Sequence, residues 1–252
     1  MFKNYLTPFL ALLLLLCLAP ALSAQNDIRF GIQMSPTFSY MTTDDNLINS
    51  DGTNLGIKLG LIGEYYFREN YSIHTGIGFH FNAGGTLFYE DQYQSIKIWQ
   101  ESLNDALAMP PDSLRGGTSF KYNMQFLEIP FGLTLRTREF GYLRYYVRPT
   151  LNLGILTQAT GSLPNSGFVD SEEDFRISSE VNSFNLGWSL GAGVEYSLST
   201  NTALIAGLAF QNGFADLTAD RGTELVREGR TPQEDDSRGK TNSFVITLGI
   251  MF

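Results

Sequence analysis

Apolar side chains recur at every second position along most of this chain. At its end, Phe244, Ile246, Leu248, Ile250 and Phe252 share one parity, and Ser243, Thr247 and Gly249 fall between them, with Val245 and Met251 as exceptions. Successive side chains of a strand point to opposite faces, so one face of this segment is wholly apolar. The same alternation appears in seven earlier segments. Ile28 to Tyr40 forms the first. Leu55 to Arg68 forms the second, with Ile62 and Gly63 irregular, and Tyr71 to Asn82 the third. In the fourth, Phe120, Tyr122, Met124 and Phe126 hold one parity and Leu127, Ile129, Phe131, Leu133 and Leu135 the other. Either a bulge near Phe126 switches the faces, or the first half lies above a membrane. Leu143 to Ile155, Phe184 to Tyr196 and a stretch near 202–214 complete the set.

The connections alternate in length. Short ones fall at Arg68-Glu69-Asn70, at 137–141 and at Ser199-Thr200-Asn201; long ones span about 41–54, 84–118, 158–183 and 215–241. Short and long connections in strict alternation, with a lipid-length apolar band on each strand, predict an all-β, eight-stranded antiparallel up-and-down transmembrane barrel with short periplasmic turns and long extracellular loops. Ten strands are the alternative if a long loop holds another membrane hairpin. A soluble barrel of the lipocalin type would also alternate, but with the large apolar residues inside and without this loop rhythm. Tyr65, Tyr66, Phe67, Tyr71, Phe140, Tyr142, Tyr145, Tyr196 and Phe252 are expected to form an aromatic girdle at the short-turn end. Pro130 and Pro149 fall at similar heights on neighbouring strands and predict a bulge or widened ladder there, since proline donates no hydrogen bond. Within 84–118, Ile96, Trp99, Leu103 and Leu107 have the spacing of one helical face, ahead of Pro110-Pro111. A short capping helix or an extra hairpin above the membrane is expected.

The N-terminus adds an export signal. Lys3, an apolar run from Phe9 to Leu18 and the small-residue stretch ending at Ala24 divide the chain into a signal peptide, 1–24, and a barrel domain, 25–252. Cys17 is the single cysteine. Leu16 before it departs from a lipidation motif, so the mature chain is expected to carry no thiol, disulfide or cysteine-bound metal. A net charge of −9 disfavours nucleic acid as a partner.

The polar parity supplies the candidate chemistry. Lys58, Glu64, His74, His80, Glu128, Arg136, Arg144, Arg148 and Glu195 are assigned to the barrel interior as an ion-pair network that fills and plugs the lumen. A polar pore or a catalytic group is the alternative: His74 or His80 with Glu128 and a serine would supply base and nucleophile, although no motif frames the two histidines. Asp44-Asp45, Asp170 to Asp174 and Glu234-Asp235-Asp236 lack the ordered spacing of a calcium loop and are read as solvated loops. No enzyme activity, cofactor or metal is expected.

Gly56-Ile-Lys-Leu-Gly60 leading into Tyr65-Tyr-Phe67, Leu127-Glu-Ile-Pro-Phe131, Gly187 to Glu195 and the terminal Phe252 together resemble the PorT-like family of outer-membrane β-barrels. Leu-Glu-Ile-Pro is the most specific element. The resemblance covers nearly all of the mature chain and implies an OmpA-like small barrel in a Gram-negative outer membrane. It implies contact with membrane lipid and lipopolysaccharide, and Phe252 as the signal read by the barrel-assembly machinery. One branch of that family takes part in protein secretion. The expected role is structural or interactive, the outer loops contacting a protein partner, ligand or surface polymer; membership of a secretion machinery, a narrow channel and lipid A modification are the alternatives.

Overall fold

A computed structural model describes residues 28–107, 109–164, 166, 173–219, 223–227 and 229–252. The expected signal peptide and most of the Asp170 to Asp174 cluster lie outside them. Among the described residues, eight long strands form the wall: β1 (Ile28–Thr42), β2 (Thr53–Arg68), β3 (Tyr71–Tyr89), β4 (Thr118–Arg136), β5 (Leu143–Ser162), β6 (Phe184–Ser197), β7 (Ala203–Gly213) and β8 (Lys240–Met251). Each pairs antiparallel with its sequence neighbours, and β1 pairs with β8 from Gly31↔Met251 to Thr42↔Lys240, closing the cylinder. Phe252 completes the seam: its N–H donates to the Phe30 carbonyl at 2.7 Å. Closure leaves no unpaired edge to face lipid. Among the described residues no helix is long and apolar enough to cross a membrane.

The outward parity is oily in every strand. Phe30, Ile32, Leu61, Phe79, Phe131, Leu151, Leu190, Leu208 and Phe244 are all exposed. At the short-turn end Tyr65, Phe67, Tyr71, Phe140, Tyr142, Tyr145, Tyr196 and Phe252 stand outward as the girdle. Tyr66 is a correction to that list. Its parity turns it inward, where its hydroxyl accepts from Arg29 at 3.0 Å. The irregular positions of the alternation also find their place inside: Ile62, Ile205 and Met251 pack with Tyr146 in a small apolar cluster near the same end.

The fourth segment does not switch faces. Phe120, Tyr122, Met124 and Phe126 point inward and are buried, and so do Glu128, Thr134 and Arg136 further along. The extra residues lie on the two neighbours at the same height. β3 has two residues, Phe81 and Asn82, opposite Gln125, with Asn82 at φ 57°; β5 has Thr157 unmatched beside Gln125↔Gln158. Each bulge exchanges the parity of its strand, so Ala83, Leu87, Tyr89 and Ala159 join the interior above it. Above this level the barrel inverts: Lys121, Asn123 and Gln125 face out and aromatics face in, as they must where the surroundings are water rather than lipid. At the prolines, Pro130 keeps its place opposite Asn152, but pairing lapses between Gly132↔Thr150 and Leu135↔Val147, opposite Pro149, with unchanged register on either side. That is the widened ladder rather than a bulge.

The long connections build a cap over this upper barrel. Helix α1 (Gln100–Ala106) buries Leu103, and Trp99, just before it at φ 59°, packs edge-on against Phe120, Tyr122 and Phe175. Both expectations for this loop are met in part. The helix is shorter than its apolar spacing, because Ile96 belongs to a strand, Tyr93–Lys97, that pairs with Glu224–Arg227, itself paired with Gln233–Glu234. A Cβ at Gly161 would strike the Trp99 ring, so that position of β5 admits only glycine under the indole.

Candidate functional site

The inward residues of the membrane-level barrel form two charged clusters separated by a cavity. The first lies toward the short turns. Arg136 has a side chain without exposed surface and bridges two carboxylates: Nε donates to Glu195 at 2.8 Å and a terminal nitrogen donates to Glu64. Its other terminal nitrogen reaches the Ser72 hydroxyl at 2.8 Å. Arg29 takes the second oxygen of Glu195 at 2.5 Å, and Arg148 the second oxygen of Glu64 at 2.8 Å. The guanidinium of Arg136 lies over the Tyr66 ring and that of Arg148 over Tyr146, each 5.0 Å from the centroid. Tyr146 itself lies across Gly193 and Gly207, where any Cβ would collide with its hydroxyl. His74 contacts Thr134 and Thr150 hydroxyls, both at 3.1 Å.

The second cluster sits nearer the cap. Lys58 donates to Glu128 at 2.6 Å and to Gln211 at 2.5 Å. His80 links Glu128 through Nδ1 at 3.2 Å to Thr37 through Nε2 at 3.1 Å. Hydroxyl, imidazole and carboxylate in a row is the arrangement of a nucleophilic triad. Here Thr37 stands where the serine was sought, it has no exposed surface, and Lys58 occupies the other oxygen of Glu128. A nucleophile must meet its substrate, and nothing reaches this one without displacing the wall. Between the clusters is a cavity of about 110 Å³ lined by Lys58, His74, Glu128, Arg148, Asn152 and Gln211 among others.

Eight of the nine residues singled out from the sequence therefore converge in these two clusters. Arg144 does not: it stands at the rim beside the 137–142 turn and pairs with Glu139 at 2.9 Å. Interior parity alone put it in the list, and its position one turn from the barrel end took it out. Sequence reasoning missed Arg29, Tyr66, Tyr146 and Gln211. Arg29 and Gln211 have the right parity and were legible; Tyr66 was masked by the girdle, which claims aromatics at that height, and Tyr146 has the inward parity of Arg144 and Arg148 but carries no charge to single it out.

The cap has its own polar seam. Arg227 donates to Asp45 at 2.5 Å and lies over the Tyr93 ring. Tyr93 donates to Asp45 at 3.1 Å, and burial beside that carboxylate pushes its hydroxyl up to about 12, against the opposing pull of Arg227. Glu180 is buried against α1, accepting from the Ser102 hydroxyl at 3.1 Å and the Ser102 N–H at 3.4 Å. Burial raises Glu180 above the ordinary carboxylate range, and burial does the same to Asp235. Among the described residues no cluster of His, Cys, Asp and Glu is placed to hold a metal.

Comparison with known proteins agrees with this architecture. The family model described as outer membrane protein beta-barrel domain matches residues 23–219. No curated protein matches the chain. Solved structures that resemble it include Neisserial surface protein A, at 13% identity and a TM-score of 0.44 over 88% of this chain and 95% of that one. Ail of Yersinia pestis, in complex with the heparin analogue sucrose octasulfate, is 12% identical with a TM-score of 0.38 over 90% and 99%. OprG of Pseudomonas aeruginosa is 12% identical with a TM-score of 0.36 over 90% and 96%. Likeness at this level carries no argument about role. The matched model spans most of the barrel, and the chain accordingly belongs to the outer membrane protein beta-barrel domain family, as an integral barrel of the outer membrane.

Proposed function

We propose that this barrel is a plugged, non-conducting, non-enzymatic scaffold. Its short turns face the periplasm, and its long loops form a folded platform outside the membrane that contacts a protein partner, ligand or surface polymer. One observation carries the reading. The long connections share a continuous hydrophobic core with the upper barrel, including Trp99, Leu103, Leu114, Phe120, Tyr122 and Leu225, all buried. Ordering such loops costs about 1–2 kcal/mol of backbone entropy per residue. A barrel needing only to hold its place in the membrane has no use for that expense, whereas a recognition surface needs fixed geometry. The filled interior argues in the same direction. An eight-stranded cylinder leaves room for side chains rather than a channel, and here ion pairs stop one end and aromatics the other.

The test has two arms. Purified protein in planar bilayers should give no conductance, and affinity capture from native membranes should retain a partner or polymer that is lost when the 90–117 and 214–239 loops are replaced by short turns. A steady ohmic current would overturn the plugged reading. Identical capture by the loop-replaced barrel would overturn the platform. A second reading, a component of protein secretion, draws on the PorT-like segment Leu127-Glu-Ile-Pro-Phe131, whose Glu128 sits in the upper charged cluster. Deletion of the gene should then abolish export of a cargo protein. If deletion alters lipid A instead, the non-enzymatic assignment fails.

A further inference from the structure

The charges inside the wall do not balance. Arg29, Lys58, Arg136 and Arg148 face Glu64, Glu128 and Glu195, and these are the ion pairs of the membrane-level lumen among the described residues. Lys58 and Glu128 cancel. The lower cluster holds three guanidiniums against two carboxylates, with both oxygens of each carboxylate already engaged by arginine. Protonating His74 or His80 only enlarges the excess. An uncompensated charge in a low-dielectric interior is strongly unfavourable. Arg148 is the guanidinium of the three that lines the cavity: Nε donates to Thr134, one terminal nitrogen donates to Glu64, and the other has no hydrogen-bond partner among the described residues, while Arg29, whose Nε is buried without a partner, does not line it. The same cavity presents Thr150, Asn152 and Ser189, whose hydroxyls and amide can hydrogen-bond an anion, and Glu128, whose oxygens are already held by Lys58, His80 and Gln211. At about 110 Å³ it has room for a monatomic ion with accompanying waters, since one water needs only about 10–15 Å³ by this measure.

We infer that the mid-barrel cavity is a binding site for a small inorganic anion, chloride or a similar halide, which neutralises the lower arginine cluster through Arg148 and is part of the folded barrel. Nothing in the proposed platform function requires it. The site is internal and structural rather than a transport path, because both ends of the lumen are filled.

The experiment compares urea unfolding of the barrel in detergent micelles, in sodium chloride and in sodium gluconate of equal ionic strength; gluconate is a long polyhydroxy carboxylate rather than a compact monatomic ion. The midpoint of the wild type should be higher in chloride and should rise with the logarithm of chloride concentration, as linkage requires of a ligand bound only to the folded state. Asn152→Asp places a carboxylate four residues from Arg148, on the same face of β5 and in the lining of the same cavity. It should stabilise the barrel in gluconate and remove the response to chloride. Arg148→Gln should also lose the response, and if it does not fold, Asn152→Asp alone decides. Crystals grown in bromide should show an anomalous peak in the cavity. A wild-type midpoint equal in the two salts, a chloride response retained in Asn152→Asp, or a bromide-grown crystal without that peak would each overturn the inference.

Discussion

Charge balance in the lumen makes an unusual prediction about Glu64 and Arg136. The two make equal numbers of contacts: Arg136 bonds Glu195, Ser72 and Glu64 and lies over Tyr66, and Glu64 accepts from Arg136, Arg148, Tyr66 and Thr134. Counting contacts, the two losses are alike. Counting charge, they are not. Glu64→Gln keeps the shape but leaves Arg29, Arg136 and Arg148 facing Glu195 alone, so the excess doubles inside a wall where neither Glu64 nor Arg136 has exposed side-chain surface. Removing one partner of a buried ion pair costs about 3–5 kcal/mol. Arg136→Met leaves Glu64 with Arg148 and Glu195 with Arg29, a balanced set, and its thioether stem still covers Tyr66. Replacing a buried ion by an apolar group of similar volume is often near neutral; with the bond to Ser72 also lost, a cost of about 1–2 kcal/mol is expected. The difference, roughly 2 kcal/mol, is about thirtyfold in the folding equilibrium. Urea titration in detergent micelles, read by the gel shift between folded and unfolded barrel, measures it. If Arg136→Met is the less stable of the two, hydrogen-bond geometry rather than net charge governs this interior, and the reasoning behind both this prediction and the anion site is wrong.

Leu190 is 52% exposed on the oily face of β6, and Leu190→Arg should cost about 2–4 kcal/mol near the bilayer midplane and impair insertion into vesicles; Ile246→Arg on β8 should behave alike, and normal insertion of both would contradict the facing assignment. Trp99→Ala removes the centre of the cap and should destabilise it by about 3–5 kcal/mol, so that protease cuts the 90–117 loop while the membrane-level barrel stays intact; equal protease resistance would refute the account of the cap core. The raised pKa of Glu180 means the folded cap holds that proton more tightly than the unfolded loop does. Its contribution is therefore fully present below the ordinary carboxylate range and is lost as pH rises through the raised value. Protease resistance of the α1 segment should be greater at mildly acid than at neutral pH, and Glu180→Gln should reduce the difference to what Asp235, raised in the same way, contributes.

Period-two patterning was enough to reveal the wall because lipid imposes a uniform demand: outward residues between the girdles are apolar with few exceptions, such as Thr75, whose hydroxyl donates to the Pro130 carbonyl at 3.0 Å, so each strand reports its own facing. The two clusters were partly legible for a related reason. Glu64, Glu128, Arg136 and Glu195 have the inward parity in strands whose other face is plainly oily, and an inward charge in a narrow barrel has little choice but to meet another. What parity lacks is height. It assigned Arg144 to the network although that residue stands at the rim, and it gave Tyr66 to the girdle although the ring lies inward beneath Arg136.

The upper half of the molecule was decided by tertiary structure. Phe120 to Phe126 and Leu127 to Leu135 read as two phases of one strand, and the sequence of β4 alone does not say whether the strand bulges or the surroundings change. The chain answers with bulges at Asn82 and Thr157 on the neighbouring strands, which turn Ala83 and Ala159 inward to meet a straight β4. That choice depends on side chains from separate stretches between Met41 and Leu225 packing into one core that includes Trp99. Contacts so distant along the chain leave no periodicity behind. Local pattern records the solvent each residue meets; only the closed cylinder determines which residues meet each other.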